Sequence, residues 1–163
     1  DLFSAIQLPY GHGNFNMTVM VPNENNTCEQ IVNELNAENW SKWTAEYSMI
    51  YNLNIALPKF KSEYEVKLND VLAAMGMEVA FTASADFSGI TPDGDIYIDY
   101  VQHNTFIEVD ENGTEAAAAT VVAMREYVAM PNYFKADKPF IYAITEKETG
   151  AILFIGKMAN PLE

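Results

Sequence analysis

The stretch Asp110-Glu111-Asn112-Gly113-Thr114-Glu115-Ala116-Ala117-Ala118-Ala119-Thr120-Val121-Val122-Ala123-Met124-Arg125-Glu126-Tyr127-Val128-Ala129-Met130-Pro131 decides how the rest of the chain is read. It opens on a turn signal, passes through four alanines, becomes β-branched, and closes on a mixed run that carries one Arg, one Tyr and two Met. A strand-like segment precedes it, Ile96 to Val109, and another follows, Phe140 to Ile144. Helix propensity alone favours a surface helix over Glu115 to Ala119. Small residues suit equally well a segment that must move between two conformations, because alanine fits helix and strand without a clash. Propensity does not separate these readings.

Working outward, the 163 residues suffice for one domain with a real core. Apolar residues make up 49% and charged residues 20%, a globular and not a disordered composition. The formal charge of −14, from 23 acidic and 9 basic side chains, repels phosphate backbones and anionic lipid heads. Nucleic acid and membrane are therefore not expected as partners. A single cysteine, Cys28, excludes an internal disulfide and reads as a small buried hydrophobe. The sequence shows neither a spanning apolar run nor a signal peptide. Leu162-Glu163 follows a natural-looking stop and reads as a remnant appended to it.

Toward the N-terminus, Ser4 to Tyr10 and Phe15 to Val21 flank the turn cluster Gly11-His12-Gly13-Asn14 and predict a hairpin. Thr27 can cap a helix starting at Cys28, with Ile31, Val32 and Leu35 on one face, and a second short helix carries Trp40 and Trp43 as core anchors. Ser48 to Phe60 alternates apolar and polar residues and predicts one long strand ended or bulged at Pro58. Val66 to Met77 reads as a helix stopped at Gly76, Ala83 to Gly94 as turns, and Ile96 to Val109 as a second long strand. Phe140 to Ile144 and Ala151 to Gly156 flank Glu146-Lys147-Glu148-Thr149-Gly150 as a second hairpin. Its continuously apolar strands predict burial on both faces. Strands dominate over a few short helices, which is an α+β pattern.

Catalytic chemistry is not visible. His12 lies in a Gly-rich turn and is expected to be exposed, while His103 lies inside a predicted strand and is expected to be a satisfied core histidine. No metal spacing, nucleophile elbow, phosphate loop or paired-cysteine motif occurs, so neither an enzyme nor a cofactor or metal site is expected. Four Asn-x-Ser/Thr triplets begin at Asn16, Asn25, Asn39 and Asn112, acceptors only in a protein that meets a glycosylating compartment.

Several blocks together resemble one family. Leu57-Pro58-Lys59-Phe60, Leu68-Asn69-Asp70-Val71-Leu72 and Met75-Gly76-Met77 look like the sixth strand of the large sheet and the helix after it in serpins, and Ala85-Asp86-Phe87-Ser88-Gly89-Ile90 resembles the loop that follows. Glu111 to Thr120 is similar to the serpin hinge. Phe134-Lys135-Ala136-Asp137-Lys138-Pro139-Phe140 and Leu153 to Pro161 resemble the strand after the reactive loop and the serpin C-terminus. The blocks run in order from Ile6 to Pro161. A complete serpin is about twice as long, so residues 1–163 resemble the C-terminal half of a single serpin domain, with a reactive-centre loop at about 111–133.

The resemblance implies an inhibitor of serine endopeptidases, secreted or in the cell envelope. In such an inhibitor the cleaved loop inserts as a strand into the large sheet and traps the protease as an acyl-enzyme. Strand parity agrees. If Thr114 enters facing inward, the buried set is Thr114, Ala116, Ala118, Thr120, Val122 and Met124, none of them charged, while Glu115, Ala117, Ala119 and Arg125 fall on the other face. Insertion of Thr114 to Met124 lays down roughly 35 Å of strand. Glu111 and Gly113 form the hinge, where glycine supplies backbone freedom. Family spacing from the hinge puts the scissile bond between Tyr127 and Val128. Spacing back from Pro139 gives Val128–Ala129, and Arg125–Glu126 is a further alternative. Tyr127 suits a chymotrypsin-like or subtilisin-like protease and Arg125 a trypsin-like one, while Met124, Val128 and Met130 suit elastase-like targets. By resemblance, His103 is the latch on the strand beside the sheet opening, and the missing N-terminal half is a required partner, as another chain or a removed segment. A non-inhibitory serpin (carrier, chaperone or storage protein) and a β-rich interaction fragment without loop switching are the competing functions.

Overall fold

The computed structural model describes residues 2–91, 96–110 and 132–161. In chain order the elements are β1 (Phe3–Tyr10), a 3-10 turn at Gly11–Gly13, β2 (Phe15–Pro22), α1 (Cys28–Glu34), α2 (Ala37–Ala45), β3 (Asn54–Ala56) and β4 (Phe60–Lys67). They continue with α3 (Asn69–Leu72), a π-helical turn at Ala73–Met77, a 3-10 turn at Glu78–Phe81, β5 (Gln102–Val109), β6 (Tyr133–Lys135), β7 (Phe140–Glu146) and β8 (Ile152–Met158). The expected α+β class holds. The chain divides into two compact units, Asp1–Phe60 with Val109–Glu163, and Lys61–Glu108.

The first unit is built on an antiparallel sheet of order β1-β2-β7-β8. Both predicted hairpins form, and β2 joins them by pairing with β7, Met17 opposite Ile144 and Val19 opposite Tyr142. The central strands supply the core: Met17, Val19, Met20, Phe140, Ile141 and Ala143 are buried. Each large apolar side chain taken from water there contributes about 1.5–3 kcal/mol. On one face Met20 and Ile141 meet Cys28 and Ile31 of α1, with Trp40 and Trp43 of α2 packed against the cluster and Trp43 edge-on to Phe3 at 5.0 Å. The tryptophans are the anchors their spacing predicts. Phe60 stacks against both Phe140 and Tyr142, at 5.6 and 5.1 Å between ring centres.

Local chemistry sets the element ends. Thr27 Oγ1 accepts the Gln30 N–H while Gln30 Oε1 accepts the Thr27 N–H, a reciprocal capping box worth about 1 kcal/mol. In the β7–β8 turn the Glu146 carboxylate accepts the N–H groups of Glu148 and Thr149 and the Thr149 hydroxyl. These donors, with the Thr149 hydroxyl foremost, hold its carboxyl below the usual glutamate range. Lys147 N–H donates to Asn14 C=O and ties the two hairpin turns together.

Several expectations need correction. Ser48 to Phe60 is not one strand. Asn52 adopts φ +57°, which turns the chain, and Met49 and Tyr51 are 80% and 77% exposed, so the alternation has no sheet to face. Within that range Asn54–Ala56 forms β3, and Phe60 already opens β4. The helix expected over Val66 to Met77 starts at Asn69, because Val66 and Lys67 still belong to β4, and Gly76 (φ +103°) ends its π-helical part without stopping the 3-10 turn that follows. The strand expected from Ile96 begins only at Gln102. Val32 is exposed on α1. β8 is an edge strand with Ile152, Leu153, Phe154 and Ile155 all exposed, so its apolar run is not buried on both faces as β7 is.

Candidate functional site

The site expected from the sequence is the connection between β5 and β6. Its hinge, inserting and cleavage residues, Glu111 to Pro131, lie outside the described residues. The two anchors are described, each in its own surroundings.

On the entry side, β5 pairs with β4 as a two-stranded ribbon. Lys61 Nζ meets Glu108 Oε1 at 2.8 Å, and Leu68 N–H donates to Val101 C=O at 2.8 Å. The start of β4 thus lies beside the end of β5 and the end of β4 beside the start of β5, which makes the pair antiparallel. Asn69, just past the end of β4, clamps the approach to β5: its Nδ2 donates to Asp99 C=O at 2.9 Å and its Oδ1 accepts the Val101 N–H at 3.0 Å. This clamp is not among the site features expected from the sequence. The signal for it is an asparagine at a strand-to-helix junction, where a short amide side chain substitutes for backbone partners. Ile107 and Val109 are buried, while Tyr64 and Phe106 are 59% and 55% exposed. His103 is exposed on β5, which corrects the expected core histidine: it shares strand parity with the buried Ile107 and Val109 but falls near the start of the strand.

On the return side, β6 pairs in parallel with β3, Asn54 opposite Tyr133 and Ala56 opposite Lys135. The ladder extends through Asn54 N–H to Asn132 C=O and Ala136 N–H to Ala56 C=O, both 2.9 Å. Phe134 and Ala136 are the buried anchors. Lys135 Nζ pairs with Asp137 Oδ2 at 2.6 Å, an exposed contact that raises the lysine and lowers the carboxyl.

Neither anchor carries catalytic or ligating chemistry. Among the described residues no group of three or more His, Cys, Asp or Glu side chains could hold a metal ion, and no helix is long and apolar enough to cross a membrane. Cys28 is buried at the start of α1, and burial, reinforced by Glu29, raises its thiol above the ordinary range despite the opposing charge of Lys157. That favours the packing role over a reactive one.

A protein-family model described as serpin (serine protease inhibitor) matches residues 1–161. An uncharacterized serpin-like protein of Thermococcus kodakarensis is 44% identical over 99% of this chain and 38% of its own length. The human leukocyte elastase inhibitor is 36% identical over 96% of this chain and 43% of its own. The native-state crystal structure of the thermophilic serpin tengpin matches with a TM-score of 0.80 and 32% identity, over 98% of this chain and 42% of that one. The chain spans about two fifths of the length of these relatives, and the part it matches is their C-terminal portion. Hairpins, loop anchors and sequence agree: the chain belongs to the serpin family.

Proposed function

We propose that the complete protein is a suicide inhibitor of serine endopeptidases, acting outside the cell or in the cell envelope. A target protease attacks the carbonyl carbon of Tyr127 through its serine Oγ and expels the amine of Val128. The acylated loop then inserts as a strand before water can release it. The observation that carries this reading is sequence parity: Thr114, Ala116, Ala118, Thr120, Val122 and Met124 would share one face if the segment became a strand, and none is charged. A buried charge in that set would oppose insertion by several kcal/mol. The family match and the inhibitor name borne by the human relative support the same reading. Glu111, Gly113, Glu115, Ala117 and Ala119 complete the hinge and the solvent-facing side, and His103 on β5 acts as the latch that insertion releases.

The complete protein also contains an N-terminal portion that covers the β4–β5 ribbon and the apolar edge β8. The four consecutive exposed side chains Ile152 to Ile155 support this, because an apolar edge strand left open templates aggregation. Chymotrypsin-like or subtilisin-like enzymes are the favoured targets.

Incubating the full-length protein with chymotrypsin tests the reading. A complex that survives SDS, and a released C-terminal peptide beginning at Val128, are expected. Cleavage at Tyr127 without a stable complex would instead mark a non-inhibitory serpin. A cut only after Arg125 would move the bond and favour trypsin-like targets.

A further inference from the structure

Of the four glycosylation-type triplets, the one at Asn112 overlaps the proposed hinge, and the fold separates the other three, which are described. We propose that Asn25 is an N-glycan attachment site, the one among Asn16, Asn25 and Asn39 that the folded chain is built to carry.

Asn16 lies within β2, paired with Pro9 on one side and Thr145 on the other. Its side chain shares strand parity with Thr18 and Met20, the face that packs against α1, and Thr18 is wholly buried. A glycan on Asn16 would have to leave through that face. Asn39 is half-buried in the first turn of α2, where its Nδ2 donates to Glu34 C=O at 2.7 Å and the Asn36 Nδ2 donates to the same oxygen at 3.2 Å. A sugar on that amide would displace the contact that joins α1 to α2.

Asn25 differs on each count. It lies between the end of β2 at Pro22 and the start of α1 at Cys28, exposed, with φ +70°. That left-handed geometry suits asparagine and turns the residue out of the flanking elements. The hydroxyl residue of its triplet, Thr27, is exposed as well. Asn26, between them, is tied down by its Nδ2 donating to Leu2 C=O at 3.0 Å. The turn is therefore held firm while Asn25 itself projects. Attachment would be a substitution at the sugar: Asn25 Nδ2 bonds to C1 of a polyprenyl-pyrophosphate-linked oligosaccharide, the C1–O bond breaks, the lipid pyrophosphate leaves with the bonding pair, and the amide loses one proton. Because this precedes final packing, the fold decides which glycan it tolerates.

The test uses the full-length protein secreted from a glycosylating eukaryotic host. Peptide amidase in heavy-oxygen water converts each glycosylated asparagine to labelled aspartate, and cleavage after glutamate then isolates Asn25–Glu29 from Asn39–Glu46 and from the peptide ending at Glu24. Label in Asn25–Glu29, and none on Asn16 or Asn39, is expected. An N25D variant, which keeps a residue tolerant of that backbone, should lose one glycan step in electrophoretic mobility and still be secreted. An unlabelled Asn25, label on Asn16 or Asn39 in the folded secreted protein, or unchanged mobility of the variant overturns the proposal.

Discussion

Strands β7 and β5 are similar in length, and both mix large apolar with polar side chains, yet their surroundings differ. In β7 the six residues from Phe140 to Thr145 are buried, because β2 and β8 flank the strand and both faces of the sheet are packed. In β5 only Ile107 and Val109 are buried, and β4 is the neighbour it has among the described residues. The sheet unit closes a core of its own. The ribbon presents apolar side chains, among them Tyr64 and Phe106, that a two-stranded sheet cannot cover. In the reading proposed above, that cover comes from the N-terminal portion of the complete protein.

The largest effect expected in this comparison is at Phe140. It is fully buried and stacked on Phe60, so Phe140→Ala should cost about 4 kcal/mol, read as a large fall in the melting temperature of the full-length protein. A loss below about 1 kcal/mol would mean that the sheet unit does not hold the core. Next comes Gly156, directly opposite Tyr142 on β8. A Cβ there would overlap the Tyr142 hydroxyl and ring, and its Cε1 lies 2.9 Å away. Gly156→Ala should cost about 2 kcal/mol by forcing that ring out of its contact with Phe60. The companion G156A/Y142A protein should recover part of that loss.

Hydrogen exchange addresses the contrast itself. Amides of β7 should be protected both in residues 1–163 alone and in the complete protein, whereas those of β5 should gain at least about tenfold in protection only in the complete protein. Equal protection of β5 in both would show that the ribbon needs no N-terminal cover. The smallest effect lies in the β7–β8 turn. Because the folded Glu146 carboxyl is held below its ordinary value, its contribution is fully present above about pH 4.3 and fades as pH falls through the lower folded value. Glu146→Gln should remove that acid-side dependence from the exchange rate of the Thr149 amide, and an unchanged pH profile would show that the turn is held by its backbone alone.

Much of this was legible in the residues. The Thr27 cap, the paired tryptophans and both hairpins carry strong local signals, and local signals act whatever surrounds them. The α+β class follows from them. What misled was alternation. Met49, Tyr51 and Ile55 alternate with polar residues as a half-buried strand would, but a strand exists only where a neighbour supplies the ladder, and Asn52 turns the chain away. The same limit applies to Ile152 to Ile155, whose apolar run predicts burial that this portion of the protein does not supply. His103 departs from its expected burial for a related reason, since strand membership says nothing about how far a given end of the strand is covered. At the candidate site the parity of Thr114 to Met124 is visible without any coordinates, whereas the Asn69 clamp needs residues 30 and 32 positions away in the chain and left no sequence pattern to read.

The account turns on insertion of that uncharged face, and Ala116→Arg in the full-length protein tests it most directly. The wild-type protein should trap chymotrypsin in a complex stable to SDS. The variant should be cut at the same bond and release active protease, because a guanidinium cannot enter the sheet interior fast enough to outrun deacylation. A variant that traps the protease as completely as the wild type would contradict insertion of this face and, with it, the central claim.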